Sequence, residues 1–142
     1  MALPPQKFRE IVFQLLYSQD VADLDVDESI PFIMNELKVT RRAVQEALER
    51  MRLVLGCQSE LDAKIGAAST EYSFERISRV EKTILRLGAY ELLHDAAIPP
   101  KVAIAEAIRL CRKFGTPESA QFVNAILDEI FKHAARNEPV LV

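Results

Sequence analysis

The chain has 142 residues, of which 49% are hydrophobic and 27% charged, and these proportions exclude a generally disordered protein. Its net charge of −3 excludes a protein that binds nucleic acid through an overall positive charge. The sequence has neither the roughly 18 consecutive apolar residues of a membrane span nor a signal peptide, so we expect a cytoplasmic protein. Cys57 and Cys111 are too isolated for a disulfide scaffold or a zinc site.

In the first half of the chain, apolar residues recur at three- and four-residue steps, a spacing that predicts helices. The first helix begins near Pro5 and ends before an acidic loop, residues 23–27. A short helix with Pro31 near its start follows. From Thr40, a candidate N-cap, one long or broken helix continues toward the middle of the chain. Its predicted weak points are two glycines, Gly56 and Gly66.

The second half carries clearer helix boundaries. Ser78 and Glu81 have the spacing of a capping box, in which each side chain accepts a hydrogen bond from a backbone N–H. Gly115 stands where a helix would end in a left-handed cap, and Thr116-Pro117 would begin the last helix. No segment alternates with a period of two. The pattern therefore predicts an all-α protein of six or seven helices.

Catalytic motifs are absent from the sequence. It has no glycine-rich phosphate loop, no nucleophile elbow and no ligand set at metal-binding spacing. His94 and His133 each lie near the end of a predicted helix, where a positive charge is favourable. Glu91 and Glu106 could form an acid–base pair, but helical glutamates beside basic residues are more typical of structural ion pairs. We therefore expect a binding protein without metal or cofactor, not an enzyme.

Basic residues form three groups, and patterning alone leaves their role open. A solvated helix surface would account for any one group. Joined, they would form a surface that follows RNA phosphates, with Phe114, Phe122 or Tyr17 available to stack on bases. The three groups are Arg76, Arg79, Lys82 and Arg86; Arg109, Arg112 and Lys113; and Lys7 and Arg9.

Longer motifs match a known family. Residues 79–92, which read RVEKTILRLGAYEL, closely resemble the C-terminal half of the bacterial antitermination factor family NusB. The same resemblance continues through shorter motifs in residues 98–108 and 114–128. Residues 14–18 look like the signature of the family's first helix. The resemblance spans nearly the whole chain, and it is dense over residues 77–131 and thin over much of the first half.

This resemblance implies a single all-α domain of about seven helices in two packed helical bundles, here about residues 1–70 and 71–138. The helix pattern itself places a join near residues 67–75. It also implies a non-catalytic transcription antitermination factor. Together with the ribosomal protein known as NusE, such a factor binds the boxA element of nascent ribosomal RNA transcripts. The complex joins other Nus factors on RNA polymerase and suppresses premature termination. No membrane partner is expected, and a homodimer is an open alternative to a monomer.

Carried over position by position, the resemblance implies eight RNA-binding residues and two at a protein-partner interface. The family's first helix usually opens with a run of arginines, whereas this chain has two basic residues there, so we expect weak RNA binding by the chain alone. Phe114 and Phe122 could instead be core residues, and Asn124 a buried amide. The RNA-binding set is Lys7, Arg9, Arg79, Lys82, Lys113, Phe114, Phe122 and Asn124, and the interface set is Tyr17 and Glu81.

Two further interpretations compete with the antitermination factor. One is a helical protein-interaction or dimerisation module of the same fold with reduced RNA binding. The other, the targeting domain of an RNA methyltransferase, is disfavoured because the sequence contains no catalytic domain. A titration with boxA RNA, with and without NusE, distinguishes the antitermination factor from the protein-interaction module.

Overall fold

The computed structural model describes residues 3–22 and 25–137, and most of them lie in seven α-helices and one 3-10 turn. These residues include no strand, so the predicted all-α fold of about seven helices is confirmed. The elements in chain order are α1 (Pro5–Val21), α2 (Val26–Leu37), α3 (Arg41–Gly56), α4 (Gln58–Ala68), the 3-10 turn (Phe74–Arg76), α5 (Arg79–His94), α6 (Pro100–Phe114) and α7 (Pro117–Asn137).

The starts of three helices confirm capping residues that the sequence predicts. Ser78 Oγ accepts a hydrogen bond from the Glu81 N–H at 3.1 Å, and Glu81 Oε1 accepts one from the Ser78 N–H at 3.3 Å. This pair completes the capping box of α5. Thr40 and Thr116 precede α3 and α7, and each hydroxyl oxygen accepts a hydrogen bond from the N–H three residues on, at 3.1 Å. These bonds join residues at fixed short spacings, which is why the sequence reveals them.

The helices of the first half depart from the predicted pattern in two places. Asp25 caps α2 through its carboxylate, so part of the expected acidic loop begins a helix, and residues 23 and 24 lie outside the described residues. As a result Pro31 lies inside α2 instead of near its start. The long or broken helix is broken at Gly56, whereas Gly66 lies within α4.

Gly115 ends α6, but the prediction of a left-handed cap is wrong. Its φ is −118° and its ψ −144°, and no glycine in the described part of the chain has a positive φ. Close approach explains the glycine instead: a Cβ here would lie 3.0 Å from the Cys111 carbonyl oxygen and 3.3 Å from the Ser119 Cβ. The missing side chain lets α7 follow α6 after a connection of two residues.

The chain divides into two compact units, of which the first is Met1–Gly56. Within this unit α1 and α2 each pack against α3. Of the residues in α2, Ile30 alone is buried, so little apolar surface of this helix is packed against the rest of the unit. The buried apolar side chains of the three helices are Ile11, Val12, Phe13, Leu15, Leu16, Ile30, Ala43, Val44, Ala47, Leu48, Met51 and Val54.

The second unit is Cys57–Val142, and its central element is α5, which packs against α4, α6 and α7. Gly88 allows the backbone of α5 to approach α7 closely, because a Cβ there would lie 2.9 Å from Leu127 Cδ1. The same Cβ would lie 3.4 Å from that of Ala107 on α6. The largest fully buried side chains of this unit are Leu61, Ile65, Ile84, Leu85, Leu87, Leu110, Ile126 and Leu127.

A largely buried ion pair joins α4 to α5 within the second unit. Arg86 Nε donates to Asp62 Oδ1 at 2.7 Å and Arg86 Nη2 to Asp62 Oδ2 at 3.0 Å, a bidentate geometry. Since α4 also packs against α7, it belongs to the second unit. The division therefore falls between Gly56 and Cys57, upstream of the join near residues 67–75 that the sequence favours.

Candidate nucleic-acid interface

The start of α5 presents two of the cations that the sequence assigns to RNA binding. The capping box sets the first turn of the helix, from which Arg79 is exposed and Lys82 half-buried. Lys82 Nζ lies 4.6 Å from the centroid of the Phe74 ring, a cation–π distance that limits where the ammonium group can go. The partial positive charge of a helix N-terminus adds to these two side chains. This end of α5 can therefore attract a phosphate.

The predicted basic stripe of Arg76, Arg79, Lys82 and Arg86 is not continuous. Arg86 is 8% exposed and its guanidinium is paired with Asp62, so it stabilises the fold and is not part of a surface. Arg76 lies in the 3-10 turn and not on α5. Spacing along a helix singled out Arg79 and Lys82, which the structure leaves accessible, but could not show that Arg86 points inward.

A second group of candidates lies where α6 gives way to α7. Lys113 is exposed, and its Nζ lies 5.8 Å from the centroid of the half-buried Phe114 ring. On α7 the side chain of Asn124 is exposed, so the alternative of a buried amide is wrong. The close packing at Gly115 holds this connection against the start of α7. The end of α6 thus presents a cation beside an aromatic ring, and α7 presents an exposed amide two turns from its start.

Phe122 lies in a groove that the sequence did not predict. The groove has a volume of about 700 Å³ and runs between the end of α4, the segment before α5, and α7. Phe122 meets Tyr72 edge to face, with ring centroids 5.5 Å apart, and Tyr72 is 49% exposed. An aromatic residue in the polar connection before α5 was the available signal for Tyr72. The charged side chains of the groove are Glu71, Glu81, Glu118, Glu129 and Arg76.

The remaining candidates belong to α1 in the first unit. Lys7 is half-buried in the first turn, whereas Arg9 is 7% exposed, which leaves little of its guanidinium for a phosphate. Tyr17 is half-buried and stacks on Phe13, with ring centroids 6.0 Å apart. Lys7 is therefore the better placed of the two cations on this helix.

The described residues show no arrangement for catalysis. Residues 3–22 and 25–137 contain no cluster of three or more His, Cys, Asp or Glu that could hold a metal ion. Burial, and then the charge of Glu81, raise the pKa of Cys111 to about 12, so its thiol stays protonated and unreactive. Glu106 Oε2 accepts from Arg109 Nε at 2.6 Å, which confirms a structural ion pair. His94 closes α5 and pairs with Glu60 at 2.9 Å.

The fold and these surfaces define an all-helical binding protein, and comparison with known proteins identifies its family. The chain belongs to the NusB family, whose model matches residues 6–132. It is 39% identical over 135 residues to the transcription antitermination protein NusB of Chlamydia pneumoniae, covering 95% of this chain and 84% of that protein. It is 40% identical over 123 residues to the NusB of Geobacter sulfurreducens, covering 86% of this chain and 89% of that protein.

Solved structures agree with the family. A structure of T. maritima NusB superposes with a TM-score of 0.78 at 33% identity and covers 93% of each chain. The NusB chain in a structure of antitermination factors NusB and NusE with dsRNA gives a TM-score of 0.77 at 24% identity, over 90% of this chain and 96% of that one, which supports the fold. The resemblance noted in the sequence is thus confirmed: this is a transcription antitermination protein and not an enzyme. None of the helices described here is long and apolar enough to cross a bilayer.

Proposed function

We propose that this protein binds the boxA element of nascent ribosomal RNA transcripts together with a NusE-type ribosomal protein. The complex then joins other Nus factors on RNA polymerase and suppresses premature termination. The observation that carries the proposal is membership of the NusB family over residues 6–132. The protein acts in the cytoplasm, because bacterial transcripts are made there.

In this proposal the basic side chains position the RNA and the aromatic rings hold unpaired bases. Arg79, Lys82 and Lys113 neutralise phosphates, which orients the RNA without reading its sequence. Phe114 and Phe122 offer ring surface for stacking, and Asn124 offers an amide to a base or sugar. On α1, Lys7 contributes a further phosphate contact and Arg9 a smaller one, because of its burial.

The protein partner contributes the affinity that the chain lacks. A net charge of −3 opposes the approach of RNA to the chain alone. Glu81 lies in the groove beside Phe122, where the charged side chains are four glutamates and one arginine, and such a surface favours contact with a basic protein. We assign Glu81 and, on α1, Tyr17 to the contact with the NusE-type partner.

A binding titration tests the proposal. Fluorescently labelled boxA RNA and a scrambled RNA of the same composition are titrated with this protein, alone and with the NusE-type partner, at several salt concentrations. We expect boxA to be bound more tightly than the scrambled RNA, and the partner to increase that affinity. Equal, tight binding of both RNAs by the isolated chain would contradict the proposal. No binding with the partner present would favour the protein-interaction module instead.

Two substitutions separate the roles of Lys113 and Phe114. Lys113→Ala should weaken the binding of all RNAs by a similar factor and reduce the slope of log affinity against log salt concentration by about one unit. Phe114→Ala should lower affinity without changing that slope, since stacking releases no counterions. Lys101→Ala, which removes an exposed cation from the first turn of α6, is the matched control and should change neither quantity. If Phe114→Ala lowers Tm while Lys113→Ala binds RNA normally, the α6–α7 connection is not part of the RNA site.

A further inference from the structure

An apolar groove in the first unit is not used by any contact proposed above. It lies between α1 and α2 and has a volume of about 160 Å³. Leu15 lines its α1 side, Met51 on α3 lies at its base, and Phe32, Ile33 and Leu37 line its α2 side. Pockets for small ligands are usually larger than about 300 Å³. The groove therefore has room for one large side chain of a partner and not for a whole cofactor.

Phe32 marks the edge of this groove and is poorly explained by the fold. It is 67% exposed, the highest value among the large hydrophobic side chains that the structure describes. A phenylalanine at a helix surface gains nothing from folding if it stays in water, whereas burial against a partner removes its apolar surface from solvent. Phe32 thus extends the mostly apolar lining of the groove to the protein surface, and Glu36 also lines the groove.

The charge around the groove indicates the chemistry of its partner. From Ser18 to Leu37 the sequence has six acidic residues and no basic one, a net charge of −6, while the rest of the chain has a net charge of +3. Asp25, Asp27 and Glu28 are accounted for by the start of α2, where carboxylates cap the helix or suit its dipole. Glu36 is not, because it is exposed in the last turn, where the dipole disfavours a negative charge. A nucleic acid or an anionic lipid surface would be repelled here.

We propose that the α1–α2 groove is a docking site for a basic polypeptide segment of a partner protein. One apolar side chain of that segment enters the groove beside Phe32, and its lysine or arginine side chains face Glu36 and the acidic start of α2. Apolar anchoring supplies most of the affinity, and the charges supply specificity and speed of association. This site lies on other residues than the RNA contacts and goes beyond the proposed function.

A synthetic amphipathic helical peptide, with Leu and Phe on one face and Lys and Arg on the other, serves as the probe. Its binding to the full chain is followed by fluorescence anisotropy, and a second peptide with Glu in place of every Lys and Arg is the charge control. We expect the basic peptide to bind and the acidic one not to bind. Phe32→Ala and Glu36→Lys should each weaken binding by about tenfold or more.

Matched variants make the test specific to the groove. Phe131→Ala removes an exposed phenylalanine from α7, and Glu49→Lys reverses an exposed charge on α3, so both should leave peptide binding within about twofold. Phe32→Ala should also leave boxA binding unchanged, which separates failure of this site from failure of the proposed function. Equal loss in all four variants, or equal binding of the two peptides, would overturn the proposal. So would a dimer of the wild-type chain that Phe32→Ala dissociates, since the occupant would then be a second copy.

Discussion

The two compact units hold their helices together to different degrees. In the second unit α5 contacts three other helices, an ion pair joins it to α4, and Gly88 brings its backbone against α7. In the first unit α2 buries only Ile30 and leaves an apolar groove beside α1. A densely interlocked unit can hold side chains in fixed positions for an RNA, whereas a loosely packed helix can adjust to a partner. Packing density thus distinguishes the proposed docking groove of the first unit from the candidate RNA contacts that lie in the second unit.

The largest expected effect comes from truncating an isoleucine in each unit. Ile84 on α5 is 0% exposed, so Ile84→Ala should lower the free energy of unfolding by about 3–4 kcal/mol. Ile33 on α2 is half-buried, and Ile33→Ala should cost about 1 kcal/mol. Urea denaturation followed by circular dichroism measures both values. Similar losses in the two variants would remove the difference in packing on which the comparison rests.

The next effect concerns the ion pair between α4 and α5. Asp62→Ala leaves the Arg86 guanidinium without its carboxylate, and since the Asp62 side chain is about a fifth exposed we expect a loss of about 2–3 kcal/mol. Glu46→Ala breaks the exposed pair of Arg42 and Glu46 on α3 and should cost less than about 0.5 kcal/mol. Both are measured by the same denaturation experiment. If Asp62→Ala lowers the free energy of unfolding by less than about 1 kcal/mol, water hydrates the Arg86 guanidinium in place of the lost carboxylate, and the ion pair does not hold α4 in place.

A smaller effect is expected from the capping box of α5. Ser78→Ala removes the acceptor for the Glu81 N–H and should lower the free energy of unfolding by about 1 kcal/mol. Ser73, which precedes the 3-10 turn, makes no side-chain capping bond. Ser73→Ala should therefore change the free energy of unfolding by less than about 0.5 kcal/mol. If the two serine variants are equally stable, the hydrogen bond between Ser78 and the Glu81 N–H makes no net contribution to the free energy of unfolding.

The smallest effect is expected at the exposed ring of α2. Phe32→Ala should change the free energy of unfolding by less than about 0.5 kcal/mol, because the side chain is already mostly in water. A thermal melt of the variant beside the wild type measures the shift in Tm. A marked loss of stability would show that Phe32 supports α2, and it would weaken the argument that the ring is kept for a partner.

The sequence predicted what depends on neighbours along the chain. Helix periodicity and the caps at Thr40, Ser78 and Thr116 involve residues within one or two turns, and the structure confirms them. The sequence predicted two helical units but placed their division near residues 67–75, downstream of the one observed, because α4 is assigned to the second unit by helices that come later in the chain. Gly115 is an exception, since the atoms that crowd it belong to Cys111 and Ser119, each four residues away; a glycine in a sequence does not show whether a positive φ or a close approach requires it.

The same difference applies to the candidate site: features set by nearby residues could be predicted, and features set by residues far along the chain could not. Spacing named Arg79 and Lys82 as candidates, and both remain accessible, but the inward pairing of Arg86 is with Asp62, 24 residues away. Tyr72 was missed because its partner Phe122 lies on α7, far along the chain from the connection that holds Tyr72. Exposure of the functional side chains is set by contacts of this kind, so a single sequence could name most of the candidates but could not say which of them face solvent.

The missing side chain at Gly88 has a consequence for how the protein opens. Because the backbone of α5 lies against Leu127 and Ala107, water reaches that face only when α6 or α7 moves away. Amide hydrogens around Gly88 should therefore exchange with solvent only through opening of the whole second unit. Amides of α2, with one buried residue to hold them, should exchange through a local opening that leaves the rest of the chain folded.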